Sequence, residues 1–130
     1  MSANIVIFDD DTDVVELIKV ILAPKGFSVH AFWELDNFLP KLEELQPCLV
    51  FMDYMVPPIG GKSAARQIKA HDQLSETPIV MISGVDNVED VAERAMADDY
   101  LKKPFEIAEL DAIVKKLCPK EYNAGKKATT

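Results

Sequence analysis

Short apolar runs alternate along this chain with longer segments in which apolar residues return every three or four positions. The runs cover residues 5–8, 27–31, 48–52 and 79–82, with a weaker one at 100–101. Three of them are nearly unbroken in Ile, Val, Leu, Phe or Met, the mark of strands covered on both faces of a parallel sheet. Between the runs, Val14, Leu17, Ile18, Ile21 and Leu22 recur at helical spacing, and Pro24 with Gly26 ends that helix. Residues 35–45 predict a second helix, with Asp36 as N-cap and Pro40 in the first turn, where a missing N–H does least harm. Residues 64–70 continue a third helix and residues 88–96 form a short fourth. Ile107, Leu110, Ile113, Val114 and Leu117 stripe a fifth. Five βα units with right-handed crossovers make a doubly wound α/β fold, a five-stranded parallel sheet with helices on both faces. The domain is expected to cover residues 1–118. Residues 119–130 turn polar, rich in Lys, Ala, Gly and Thr, and predict a short flexible tail.

All strands of a parallel sheet end at one edge, and ligands bind outside those carboxyl ends. The first run ends in Asp9-Asp10-Asp11, the third in Asp53 and the fourth in Ser83-Gly84, while Lys103-Pro104 follows the fifth. The second run ends in Ala31-Phe32 and offers no chemistry, which fits a strand at the sheet edge. Asp9, Asp10 and Asp53 crowd negative charge into one small volume. Like charges ~4 Å apart in a partly desolvated site repel by several kcal/mol. Lys103 neutralises one carboxylate. A divalent cation answers the others, and hard oxygen ligands suit Mg²⁺ or Mn²⁺. With such an ion the sign of the site reverses, and a phosphoryl oxygen becomes a ligand. Asp53 is then a candidate nucleophile that forms an acyl phosphate. Lys103 and the cation stabilise the transferring group, and the Ser83 hydroxyl donates to it. Asp11 or Thr12 caps the first helix, so Asp11 is left out of the metal set.

Composition narrows the classes. The chain has 130 residues with 48% hydrophobic content, enough for one core. A net charge of −8 repels nucleic acid and anionic membranes, so neither is expected as a partner. No apolar stretch approaches the ~20 residues of a membrane span, and no basic region or cleavage site precedes Ile5; the expected location is cytoplasmic. Cys48 and Cys118 are too few for a disulfide framework and are expected as small core residues. None of Trp33, His30 and His71 has a partner pattern in the sequence; Trp33 is expected half-buried at a helix start and the histidines at the surface.

Three motifs stand out: Phe8-Asp9-Asp10-Asp11 after the first strand, Asp53-Tyr-Met-Val-Pro57-Pro-Ile-Gly-Gly61 after the third, and Ala97-Asp-Asp-Tyr100-Leu-Lys-Lys103-Pro104-Phe105 near the end. Together they resemble the motifs of the response-regulator receiver family. Ser83-Gly84 stands where the family has Ser/Thr and a small residue. The likeness covers roughly residues 3 to 118, and it rests on the order and spacing of the motifs together. It implies a flavodoxin-like (βα)5 fold with strand order 2-1-3-4-5 and a role in two-component phosphorelay signalling. By the same resemblance Asp53 is the phosphoacceptor. Asp10, Asp53 and the backbone carbonyl of Met55 ligate Mg²⁺, with Asp9 helping through water. Lys103 pairs with the phosphoryl group before a cis Pro104, and Ser83 with Tyr100 forms the switch pair. The implied partners are a histidine kinase or phosphotransfer protein as donor and a separate downstream effector protein. The domain would catalyse its own phosphorylation and dephosphorylation without being a metabolic enzyme. The sequence departs from the family in two places. Val56 stands where Met is usual, and the stretch from Ser83 to Lys103 is shortened and lacks the common Gly before Ala97. That shortening predicts a short or poorly anchored fourth helix.

Other readings of the same residues are weaker. A haloacid-dehalogenase-type hydrolase also uses an Asp nucleophile, but it wants an acid two residues later, where Met55 stands. A flavin-phosphate binder needs a Ser/Thr/Gly-rich loop after the first strand, where the acids are. A phosphorylation-independent scaffold, or a phosphate shuttle or sink, would share the fold.

Overall fold

In a computed structural model, which describes residues 3–122, five parallel strands form one sheet in the order β2-β1-β3-β4-β5. The strands are β1 (Ala3–Phe8), β2 (Phe27–Phe32), β3 (Leu49–Asp53), β4 (Ile79–Ser83) and β5 (Asp99–Lys102). The helices are α1 (Thr12–Leu22), α2 (Phe38–Leu45), α3 (Gly61–Ala70), α4 (Val88–Arg94) and α5 (Ile107–Leu117), with a short 3₁₀ turn at Ala23–Lys25. This is the expected doubly wound α/β fold in the expected order, with β2 at one edge.

Successive residues of a strand point to opposite faces. Along β1, Ile5 and Ile7 enter one core cluster with Val15, Ile18, Leu110 and Val114 of α1 and α5. Val6 and Phe8 enter the other, with Leu42, Ala65, Ile68 and Val91 of α2, α3 and α4. Both faces of the central strands are therefore dry, and that is why their sequences are continuously apolar rather than alternating. Cys118 is buried at the end of α5, and its thiol donates to the Cys48 carbonyl at 3.0 Å. No helix among the described residues is long and apolar enough to cross a membrane.

Several details differ from the sequence-based expectations. α2 begins at Phe38, and Asn37, not Asp36, holds the N-cap position. Asn37 sits there with a left-handed φ of 53° and makes no side-chain cap, so capping propensity at Asp36 does not decide the boundary. Asp36 instead offers its carbonyl to Lys41 Nζ at 2.8 Å. Trp33 is 70% exposed on a bend, not half-buried at a helix start. Both histidines have partners: His30 Nε2 lies 3.0 Å from Asn4 Oδ1, and His71 Nε2 lies 2.6 Å from Glu43 Oε1. Of the expected tail, residues 119–122 continue as a helical turn in which the Tyr122 hydroxyl reaches Asp111 at 3.2 Å. Residues 123–130 lie outside the described residues.

The fourth helix is short, as the compressed stretch predicts, but it is anchored: Val88, Val91 and Ala92 are buried. It ends in a tight reversal. Met96 N–H donates to Glu93 O at 3.1 Å and Ala97 N–H to Ala92 O at 2.9 Å, the paired bonds of a Schellman stop. That geometry places Met96 at φ 65°, a region glycine enters freely and other L-residues enter at a cost. Met96→Gly is therefore expected to stabilise the domain by on the order of 1 kcal/mol. A urea titration measures it, and an unchanged or lowered midpoint contradicts the strain assignment.

Candidate functional site

Strand register brings the polar residues together. Phe8 of β1 pairs with Met52 of β3, so Asp9 lies beside Asp53 one step beyond. Asp53 pairs with Ile82 of β4, and Ser83 with Lys102 of β5, so Ser83 and Lys103 continue the same rim. Backbone bonds fix the ends: Asp9 N–H donates to Phe32 O at 3.0 Å and Lys103 N–H to Ser83 O at 2.8 Å. The Lys103–Pro104 peptide is cis, as expected, and Pro57–Pro58 is cis as well.

Carboxylate oxygens of Asp9, Asp10 and Asp53 lie within 4.8 Å of one another. Asp9 and Asp53 are buried and Asp10 is exposed, so the cluster is a half-sunken mouth open to solvent on one side. Lys103 Nζ reaches in to 2.9 Å from Asp9 Oδ2, 3.8 Å from Asp11 Oδ2 and 3.9 Å from Asp53 Oδ2. Asp9 Oδ1 accepts the Asp11 N–H at 2.9 Å, and Asp53 Oδ1 accepts the Met55 N–H at 3.4 Å. The Ser83 hydroxyl is buried and accepts the Val85 N–H at 3.2 Å. Asp11 caps α1 through the N–H groups of Asp13 and Val14, as predicted. Its nearness to Lys103, which makes it part of the local field, was not foreseen.

Tyr100 is not drawn into this cluster. It faces outward on β5, 37% exposed, and pairs in register with Met81 rather than with Ser83. Gly61 is a site residue that motif reading leaves without a role. A Cβ there would stand 2.1 Å from the Asp53 carbonyl oxygen and 2.9 Å from its carbonyl carbon. The start of α3 thus packs against the backbone at the end of β3 with no room for a side chain. The signal was present as the Gly60-Gly61 pair, but nothing in the sequence says which glycine touches what.

Burial is the main reason that the Asp53 carboxyl is pushed up to about 6 from the ordinary value of 3.8. The Asp9 charge adds to the rise, while Lys103 and the Met55 amide pull against it. The unfolded chain therefore ionises Asp53 first. As pH rises from about 4 to 6, the folded state alone retains the proton, and its stability falls. The loss is complete above that window and absent below it. Asp53→Asn is expected to stabilise the cation-free protein by on the order of 2 kcal/mol at pH 7 and not at all below pH 4. Chemical denaturation with a chelator at the two pH values measures this. Equal effects at both would contradict it.

The donor set fits a hard divalent cation. Among the described residues, Asp9 Oδ2 is buried with no aligned hydrogen-bond partner, since Lys103 Nζ is close but out of line. Three carboxylates against one ammonium leave the mouth net negative. Oxygen-only ligands with one exposed side, where waters remain, match Mg²⁺. Among the described residues this cluster offers carboxylate oxygens and no thiol that would favour a thiophilic metal.

The model of the response regulator receiver domain matches residues 5–115. The chain belongs to this family. The transcriptional regulatory protein GltR of Pseudomonas aeruginosa is 37% identical over 125 residues, covering 90% of this chain and 50% of the relative. The DNA-binding response regulator MtrA of Mycobacterium tuberculosis is 33% identical over 117 residues, covering 88% and 50%. The chain thus spans about half the length of the curated relatives it matches. Among solved structures, the receiver domain of NtrX from Brucella abortus shares 30% identity at a TM-score of 0.76, over 87% of this chain and 96% of that one. The receiver domain of a sensor histidine kinase from Pseudomonas aeruginosa superposes at a TM-score of 0.80 with 24% identity, over 90% and 98%, and carries a magnesium ion in its active-site cleft.

Proposed function

We propose that this receiver domain takes a phosphoryl group onto Asp53 from a phosphohistidine, and that the modified rim then changes what the domain binds. The observation that carries the proposal is one buried carboxylate, Asp53, within reach of an ammonium, Lys103, and of two further acids, with a hydroxyl, Ser83, at the next strand end. A carboxylate oxygen of Asp53 attacks phosphorus, forming a P–O bond. The P–N bond breaks, and the imidazole leaves with its electron pair and takes up a proton. Asp10, Asp53 and the Met55 carbonyl, with Asp9 through water, are the residues that would hold Mg²⁺, which when bound offsets the charge on the phosphoryl oxygens. Lys103 turns from Asp9 toward the new phosphoryl oxygens, and Ser83 rotates from accepting the Val85 amide to donating to them. Tyr100, outward-facing here, is the candidate to follow Ser83 as the second half of the switch.

The donor in this reading is a histidine kinase or phosphotransfer protein, and the output passes to an effector. The charge of −8 on this domain speaks against nucleic acid as its own ligand. Magnesium is the cation of this reading, in line with the magnesium ion in the cleft of the sensor-kinase receiver domain. Intact mass spectrometry after incubation with acetyl phosphate tests the reading. A gain of one phosphoryl group with Mg²⁺ and none with a chelator supports it. No gain in either condition sinks it.

A further inference from the structure

A second surface lies beside the acidic mouth and is unlike it. The loop after Asp53 and one face of α3 bound an open groove of about 1030 Å³. Its walls include Met55, Ile59 and Met96, which are 71%, 44% and 58% exposed. These are three of the eight large apolar side chains exposed among the described residues, gathered in one concavity. Met96 lies two residues past the end of α4 and lines the groove together with residues of α3. Lys62 and Arg66, one helical turn apart on α3, also line it. Neither forms an ion pair with any described residue, although the chain carries a net charge of −8.

An apolar floor with two unpaired cations on its wall selects an occupant by charge. The chain's own residues 123–130 carry Lys126 and Lys127 and no acid, so they would be repelled. A second copy brings its own charge of −8 and meets long-range repulsion from the rest of the domain. A short segment has neither handicap if its acids face Lys62 and Arg66 and its apolar side chains enter between the methionines. Such amphipathic helices bind grooves through residues at i, i+3 and i+4, and methionine walls adapt to their shape.

We propose that this groove docks an acidic amphipathic segment of a separate protein. Two apolar anchors sit against Met55, Ile59 and Met96, and carboxylates pair with Lys62 and Arg66. Since Met55 also hydrogen-bonds Asp53 through its amide, the docked segment touches the loop that leaves the acceptor. The docking itself does not require Asp53 to accept a phosphoryl group.

The probe is a displayed library of random peptides of roughly 16 residues, enough for a groove-bound helix, selected on the full chain with Mg²⁺. Enriched peptides are then titrated into protein labelled at its Met and Ile methyls. The expected result is enrichment of acidic sequences with paired apolar residues that shift the Met55, Ile59 and Met96 signals saturably. Lys62→Glu with Arg66→Glu should weaken binding by about tenfold or more while leaving phosphoryl uptake from acetyl phosphate intact. Neutral or basic winners, shifts confined to other methyls, binding unaffected by the charge reversal, or no enrichment would each overturn the proposal. So would methyl shifts that follow protein concentration without peptide, which would assign the groove to a second copy. Phosphoryl uptake is read separately by mass, so failure here and failure at Asp53 remain distinguishable.

Discussion

Lys103→Met is expected to slow phosphoryl uptake from acetyl phosphate roughly 10²–10³-fold, the usual loss when one preorganised charge donor is removed. The ammonium sits 2.9 Å from Asp9 Oδ2 and 3.9 Å from Asp53 Oδ2, within reach of the charge that a phosphoryl group on Asp53 would bring. Methionine keeps the length and bulk of the side chain and removes only the charge. A second effect accompanies the first. Asp9 is 3% exposed, and without Lys103 its carboxylate is buried beside Asp53 with no counter-charge. Breaking such a pair from one side costs about 3 kcal/mol or more. The variant should therefore unfold at lower denaturant than wild type in chelator, and added Mg²⁺ should recover part of the difference. Time courses of intact mass and paired denaturation curves measure both effects. Uptake within about threefold of wild type would remove Lys103 from the chemistry, since such a change is under 1 kcal/mol.

Gly61→Ala is the second large effect and tests packing rather than charge. The new methyl would have to stand 2.1 Å from the Asp53 carbonyl oxygen, which is backbone and cannot rotate away. Either the start of α3 withdraws or the end of β3 moves, and both disturb a fully buried strand. A loss on the order of 2–4 kcal/mol is expected, in the range of core overpacking. Phosphoryl uptake should fall with it even under conditions where the variant is folded, because Asp53 is carried on the displaced segment. Gly84→Ala is the matched control. A Cβ at Gly84 meets nothing within 4 Å, so this change should alter stability by less than about 0.5 kcal/mol. Denaturation midpoints of the two variants decide the matter, and similar values would contradict the contact.

The contrast between these residues shows what the chain reveals in one dimension. Asp9, Asp53, Ser83 and Lys103 were legible because each follows an apolar run, and a parallel sheet sends every such end to one rim. The short fourth helix was legible from pattern and length, while the order of strands followed from the resemblance to the receiver family and is the order observed. Gly61 was not, because its meaning depends on which backbone it meets across the turn. Nor was the link between Lys69, Asp98 and the start of β4. Lys69 Nζ lies 2.7 Å from Asp98 Oδ2, which also accepts the Ile79 N–H at 2.7 Å. These residues lie far apart in sequence, and only the fold joins α3 to the turn before β5. Local propensity also misled at Asp36, where tertiary closure of the loop placed Asn37 at the cap. Trp33 misled in the other direction, since a large aromatic ring was expected to find cover and stands in solvent.

The chemical identity of the acceptor is the point on which the account depends. An acyl phosphate on a carboxylate is reduced by borohydride to the alcohol, so treatment of the phosphorylated chain converts only the modified aspartate to homoserine. Peptide mass mapping then reads its position. Homoserine is expected at residue 53 in the Mg²⁺-treated sample and nowhere in the chelated one. Homoserine at Asp9 or Asp10 instead, or undiminished labelling in Asp53→Asn, would contradict it.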